Sequence, residues 1–138
     1  MAFAPTAIVL DAVYPARAPS VAAVRHAVTV VATQSGADEE ALMRINLAVS
    51  EAVTNAVVHA YRDGARPGEV RVVATPADGA LEVSVRDTGV GMSPRPDSPG
   101  LGRGVGLMHH AAQRCEVRLR PEGGTEVALS FALRPGGA

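Results

Sequence analysis

The spacing of the apolar residues changes near Gly68, and this change constrains the fold more than any other feature. From Asp38 to about Ala60 apolar residues recur every three or four positions, as on the buried side of a long helix. After Gly68 they alternate with polar residues in EVRVVATP and ALEVSVRDTG, which predicts two strands joined at Asp78-Gly79. A chain with both periods needs helices packed on a sheet, so we expect an α+β domain.

The flanking segments complete the predicted order of elements. A β-rich segment at residues 6–14 predicts a first strand, and a helical pattern follows from Ser20, a candidate N-cap, to Gly36. A short helix is expected at residues 105–114, before two strands that pair around Glu122-Gly123-Gly124. The order β, α, α, β, β, loop, α, β, β predicts a two-layer sandwich, with about three helices on one face of a mostly antiparallel sheet.

Composition excludes several classes of function. The chain has 138 residues, 47% of them apolar, which is enough for one domain with its own core. A formal net charge of -1 gives no electrostatic reason to expect a nucleic acid or an anionic membrane as partner. Cys115 is the single cysteine, and the sequence has neither a secretory signal nor a membrane-spanning apolar run, so a cytoplasmic protein is expected.

The chain contains arginine but no lysine. A Walker-type phosphate loop needs a lysine on the β- and γ-phosphates, and the usual protein-kinase fold needs a strand lysine paired with a helix glutamate. Schiff-base chemistry on lysine is excluded for the same reason. Any handling of ATP must therefore use another kind of site.

A polar row crosses the long apolar helix. Glu51, Asn55 and His59 are spaced by four, so their side chains form one slanting stripe, with Leu47 and Val58 as apolar neighbours. A solvated helix edge would carry similar residues. If apolar groups enclose the carboxylate on both flanks, it needs a charged partner or a metal, and the Asn55 carbonyl oxygen suits Mg²⁺. Glu51 could then act as a base that directs a hydroxyl at a phosphoryl group.

Two glycine-containing motifs follow in the second half of the chain. In RDTGVGM, Asp87 has the parity of the predicted core residues of its strand and should point inward, where an adenine amine could donate to it. Gly89 and Gly91 leave room for a flat base, although a plain turn would also carry this pattern. The segment 92–104 is a long proline- and glycine-rich loop, typical of a functional lid or of disorder.

Phosphate-binding candidates lie in GLGRGVGL, at the start of the predicted short helix. Gly102, Gly104 and Gly106 alternate there, so exposed N–H groups could bind an anion, and Arg103 could bind a terminal phosphate. Glycine clusters are also common as hinges. Thr125 shares parity with the apolar residues of the last strand and should face inward, although a threonine at the start of a strand is common without any function.

In this order, SEAVTNAVVHAY, DTGVGM and GLGRGVGLMHH resemble the Bergerat-type ATP-binding fold of gyrase, histidine kinases and mismatch-repair ATPases. Within this GHKL (histidine kinase-like) superfamily, the three motifs resemble in particular those of the small anti-sigma factor serine kinases. The resemblance implies a single domain over residues 1–138, with an ATP lid at about 92–104. It implies that Glu51 is the catalytic base, that Asn55 coordinates Mg²⁺ and that Asp87 binds adenine. It assigns the rest of the ATP site to Gly89, Gly91, Gly102, Arg103, Gly104, Gly106 and Thr125.

The resemblance also implies a function. Such proteins phosphorylate a serine on an anti-anti-sigma partner of the STAS fold, otherwise hold a sigma factor inactive, and form homodimers. Two alternatives remain open from the residues: a nucleotide-gated binding module without phosphotransfer, and a histidine-kinase catalytic domain. We expect no phosphoacceptor hairpin upstream, because His26 lies in the helix just after the first strand.

Overall fold

The computed structural model describes residues 9–61, 68–87, 101–121 and 123–133. The predicted α+β architecture and order of elements are confirmed. In chain order the elements are β1 (Leu10–Pro15), α1 (Ala18–Gln34), α2 (Glu39–Tyr61), β2 (Glu69–Ala77), β3 (Ala80–Asp87), α3 (Leu101–Ala111), β4 (Arg114–Leu119) and β5 (Thr125–Ala132).

The five strands form one sheet in the order β1-β2-β3-β5-β4, and every neighbouring pair is antiparallel. The β2–β3 hairpin turns at Asp78 and Gly79, as predicted, and both residues have positive φ, of 27° and 76°. Two positive φ angles match the right-handed twist of the strands that the turn connects. β1 is an edge strand that ends in Pro15, where the missing N–H breaks no ladder hydrogen bond inside the sheet.

The helices cover one face of the sheet. On β3, Leu81, Val83 and Val85 are buried beneath the helices, whereas the side chains of opposite parity are half-buried or exposed. Both α1 and α2 contact the sheet, and α3 packs against α2. The core between the layers is almost wholly aliphatic, which is expected of a chain with 3% aromatic residues.

The other face of the sheet is open and carries ion pairs. The Arg71 guanidinium donates to both Asp11 carboxylate oxygens, at 2.9 and 2.7 Å, and these hydrogen bonds lower the pKa of Asp11. Arg86 pairs with Glu126 across neighbouring strands. An antiparallel sheet with one wet face commonly has this pattern. We call this surface the open face.

The boundaries of α1 and α3 differ from the predictions, whereas the start of α2 agrees with them. α1 starts earlier, with Arg17 as its N-cap and no side-chain cap; the Ser20 hydroxyl instead donates to the Pro15 carbonyl at 2.6 Å. α2 begins as predicted, because the Asp38 carboxylate accepts the Ala41 N–H at 2.8 Å and so caps the helix. α3 was predicted at 105–114 but spans Leu101–Ala111. Its packing on α2, where Met108 is fully buried, outweighs the low helix propensity of its glycines.

The single cysteine, Cys115, is half-buried on β4, and this burial raises the pKa of its thiol, so the thiolate is disfavoured. No helix in the described ranges combines the length and apolar content that crossing a bilayer requires.

Candidate functional site

The polar row lies on α2, at the border between its buried and exposed sides. Glu51 and Asn55 are both half-buried, while Ala52, Val53 and Ala56 beside them belong to the core. The expectation that apolar groups enclose Glu51 on both flanks is wrong for one flank, because Leu47 and Val58 are 41% and 57% exposed. Glu51 is therefore accessible to a ligand from solvent. The side chain of His59 lies outside the described part of the chain.

The amide of Asn55 is the most informative group in the site. Its Nδ2 atom is buried and has no hydrogen-bond partner among the described atoms. A buried polar group in this state costs about 1–3 kcal/mol, so it normally has a structural or functional explanation. Rotation about χ2 exchanges the amide nitrogen and oxygen, so the same position can present a donor to a phosphate or a carbonyl oxygen to a cation.

Only one other buried side-chain atom in the described chain lacks a partner in this way, the hydroxyl oxygen of Ser84. Ser84 pairs with Val73 and Ala128 on the open face, away from the helices. It therefore takes no part in the site around α2.

Two polar side chains lie at one end of the sheet, on its helix-covered face. Asp87 is 3% exposed at the end of β3, and it continues the inward parity of Val83 and Val85, as predicted. Thr125 is 1% exposed at the start of β5. Because Arg86 pairs with Glu126 in the antiparallel register, the next positions along the two strands bring Asp87 and Thr125 side by side. The two predicted adenine-site residues thus share one buried end of the sheet.

The third part of the candidate site is the start of α3. Gly102, Arg103 and Gly104 lie in its first turn, so the segment predicted as a loop at residues 92–104 is helical from Leu101 onward. A Cβ placed at Gly106 would meet no atom within 4 Å, so packing does not explain this glycine. The side chain of Arg103, together with Gly89, Gly91 and residues 92–100, lies outside the described residues.

Met43, for which no role was predicted, is 73% exposed on α2. Leu47 and Val58 are also exposed, on the same solvent side of the helix. The signal was present in the sequence, because the three residues fall outside the angular range of the buried positions. Periodicity alone does not show whether a neighbouring element covers such residues.

Comparisons with known proteins identify the family to which this fold belongs. Residues 14–131 match the family model described as a histidine kinase-like ATPase domain. The anti-sigma F factor of Pasteuria penetrans is 35% identical over 121 residues, covering 80% of this chain and 81% of that protein. The anti-sigma F factor of Shouchella clausii is 34% identical over 105 residues, covering 68% of this chain and 71% of that protein.

A solved structure has the same fold. The crystal structure of the RsbU and RsbW domains of a Mycobacterium tuberculosis protein matches 91% of this chain, with a TM-score of 0.72 and 26% identity. The match covers 32% of the length of that longer protein. From the family model, the relatives and the shared architecture together, this chain belongs to the histidine kinase-like ATPase domain family, among the relatives of the anti-sigma F factors.

Proposed function

We propose that this chain is an ATP- and Mg²⁺-dependent protein serine kinase that also acts as an anti-sigma factor. It phosphorylates a serine of a STAS-type anti-anti-sigma partner and otherwise holds a sigma factor inactive, as a homodimer. The observation that carries the proposal is the buried Asn55 amide without a partner, one helical turn from Glu51. A phosphate oxygen of a bound nucleotide would accept a hydrogen bond from the amide nitrogen, or after rotation about χ2 the carbonyl oxygen would face the cation, and either contact would offset the cost of burying the amide.

Asn55 is the protein ligand that we assign to Mg²⁺. No three His, Cys, Asp or Glu side chains converge into a metal site anywhere in the described ranges. An ion held by one amide oxygen needs further oxygen ligands from phosphates and water, which is the usual arrangement for Mg²⁺. When bound, the ion neutralises charge on the phosphates. We therefore expect Mg²⁺ to bind together with ATP rather than alone.

The nucleotide would lie between the buried end of the sheet and α3. Asp87 accepts a hydrogen bond from the adenine amine, and the Thr125 hydroxyl lies next to it. Gly89 and Gly91 leave room for the base. The phosphates bind at Gly102, Arg103, Gly104 and Gly106, where backbone N–H groups and a guanidinium replace the lysine that the chain lacks.

Glu51 acts as the general base. It accepts the proton of the partner's serine hydroxyl while the serine oxygen forms a bond to the γ-phosphorus of ATP. The bond from that phosphorus to the oxygen bridging it to the β-phosphate breaks, and ADP leaves. The products are a phosphoserine, ADP and a protonated Glu51, which loses its proton to solvent.

Calorimetric titration of ATP and ADP, with and without Mg²⁺, tests the nucleotide site. We expect the wild type to bind ATP more tightly with Mg²⁺, and Asp87→Asn to lower that affinity at least about tenfold, because the acceptor of the adenine amine is altered. Asp11→Asn, the same change on the open face, is the matched control and should bind as the wild type does. Thermal melting of each variant checks that it is folded.

Phosphotransfer to purified STAS-fold proteins tests the activity itself. A serine kinase gives the partner an acid-stable phosphate, whereas a histidine kinase would label itself with acid-labile phosphate. ATP binding without transfer would leave a nucleotide-gated binding module. If the folded wild type binds no nucleotide, the proposal is wrong.

A further inference from the structure

Three apolar side chains are exposed on the solvent side of α2. Met43, Leu47 and Val58 are 73%, 41% and 57% exposed. Their spacings of four and eleven residues place them on the same side of the helix. We call Met43, Leu47 and Val58 the apolar stripe.

The apolar stripe borders the candidate catalytic residue. Leu47 precedes Glu51 by four residues and Val58 follows it by seven, so both lie about 20–40° to one side of it around the helix axis. Asn55, with its buried amide, lies about 40° to the other side. Glu51 thus separates the apolar stripe from the group assigned to the cation.

The packing of α1 and α3 on α2 shows which element lies on each side of Glu51. The Thr29 hydroxyl of α1 donates to Asn46 Oδ1 of α2 at 2.8 Å, so α1 packs on the side of α2 that lies beyond the apolar stripe. Both α1 and α3 pack on α2, and within the described residues they make little contact with each other. α3 therefore lies on the opposite side of α2, towards Asn55. The phosphate-binding start of α3 and the apolar stripe are on different sides of Glu51.

Phosphoryl transfer requires this kind of separation. The attacking and leaving oxygens lie roughly in line, so the acceptor hydroxyl approaches from the side opposite the nucleotide. If the phosphates lie towards Asn55 and α3, the acceptor reaches Glu51 across the apolar stripe. We propose that the apolar stripe is the docking surface for the protein that presents the acceptor serine; this inference rests on the proposed kinase function.

The size of the surface supports a substrate rather than a permanent subunit. A stable dimer uses about 20–30 residues and 800 Å² on each side, far more than three side chains provide. A small apolar contact allows the phosphorylated product to leave. The exposed Glu40–Arg44 ion pair lies one turn away and gives the stripe a polar border, as interfaces commonly have. The expected occupant is a folded protein whose serine is surrounded by exposed apolar side chains.

The test compares Leu47→Glu and Val58→Glu with matched controls. Val13→Glu and Val9→Glu make the same changes at apolar residues that are 54% and 51% exposed in β1 and just before it, away from α2. The acceptors are purified STAS-fold proteins of the source organism, and the initial rate of phosphotransfer is measured against acceptor concentration. Calorimetry gives the ATP affinity of every variant.

We expect each stripe variant to raise the KM for the acceptor at least about tenfold, because a charge is placed in a desolvated contact. The kcat at saturating acceptor and the ATP affinity should stay within about twofold, and the control variants should match the wild type. Loss of kcat with unchanged KM would overturn the docking role.

The remaining outcomes separate this inference from the proposed function. If the wild type transfers phosphate and the stripe variants do so with an unchanged KM, the docking inference is wrong and the kinase stands. If the wild type binds an acceptor without phosphorylating it, and the stripe variants lose that binding, the docking surface stands and the kinase fails. If the wild type neither binds nor labels any acceptor, both fail. If a stripe variant instead abolishes self-association, the occupant is a second copy and the inference is overturned.

Discussion

Polar side chains occur on both faces of the sheet, but they are satisfied in different ways. On the open face, charged groups pair with one another, as Asp11 does with Arg71 and Arg86 does with Glu126. On the helix-covered side, the Asn55 amide is buried with no partner among the described atoms, and Asp87 and Thr125 are buried at the end of the sheet. The ion pairs of the open face are complete in the protein alone. The Asn55 amide gains a partner only in the nucleotide complex that we propose, so the two regions should respond differently to substitution.

The largest difference should appear at Glu51. Glu51→Gln keeps the size of the side chain but removes the base, so phosphotransfer should fall at least about a hundredfold while ATP affinity changes less than about twofold. Glu82→Gln, on the open face, removes a carboxylate that accepts from the Ser130 hydroxyl and should leave transfer unchanged. Transfer at the normal rate in Glu51→Gln would assign the base to another residue.

Substitutions of two asparagines of α2 should have smaller effects, of opposite sign, on the free energy of unfolding. Asn55→Leu removes a buried amide without a partner, so the free energy of unfolding should stay level or rise by about 1 kcal/mol, while Mg²⁺ no longer tightens ATP binding. Asn46→Leu removes the acceptor of the Thr29 hydroxyl and should lower the free energy of unfolding by about 1 kcal/mol. Urea unfolding and calorimetry measure the two quantities.

The comparison would fail if Asn55→Leu lost stability as Asn46→Leu does. Such a result would show that the Asn55 amide has a structural partner in solution. Retention of the Mg²⁺ effect in Asn55→Leu would remove Asn55 from the cation site.

The smallest effect should come from the open face. Arg71 lowers the pKa of Asp11 below its ordinary value of 3.8, so this pair stabilises the folded state above that pH. The contribution disappears as the pH falls through the lowered pKa. Asp11→Asn should therefore be slightly less stable than the wild type at neutral pH, and the difference should vanish in acid and shrink in high salt. A difference that grows in acid would contradict the pairing.

The sequence predicted the architecture because the apolar period records which side of each element is buried. The alternation in β3 and β5 placed Asp87 and Thr125 inward, and both are buried. The predicted start of α3 was wrong. Gly102 and Gly104 disfavour a helix locally, whereas packing on α2 favours it. The exposure of Leu47 and the unpaired amide of Asn55 depend on neighbouring elements, which a one-dimensional pattern does not contain.

The strand order also has a consequence for synthesis of the protein. β5 comes last among the described elements, yet it lies inside the sheet, between β3 and β4. While the chain emerges from the ribosome, β3 has a free edge, and β4 has no partner until residues 125–132 follow. Such edges are prone to pair with other chains, so β5 protects the nascent protein from aggregation. Because β5 also supplies Thr125, ATP binding should appear only after this protection is complete.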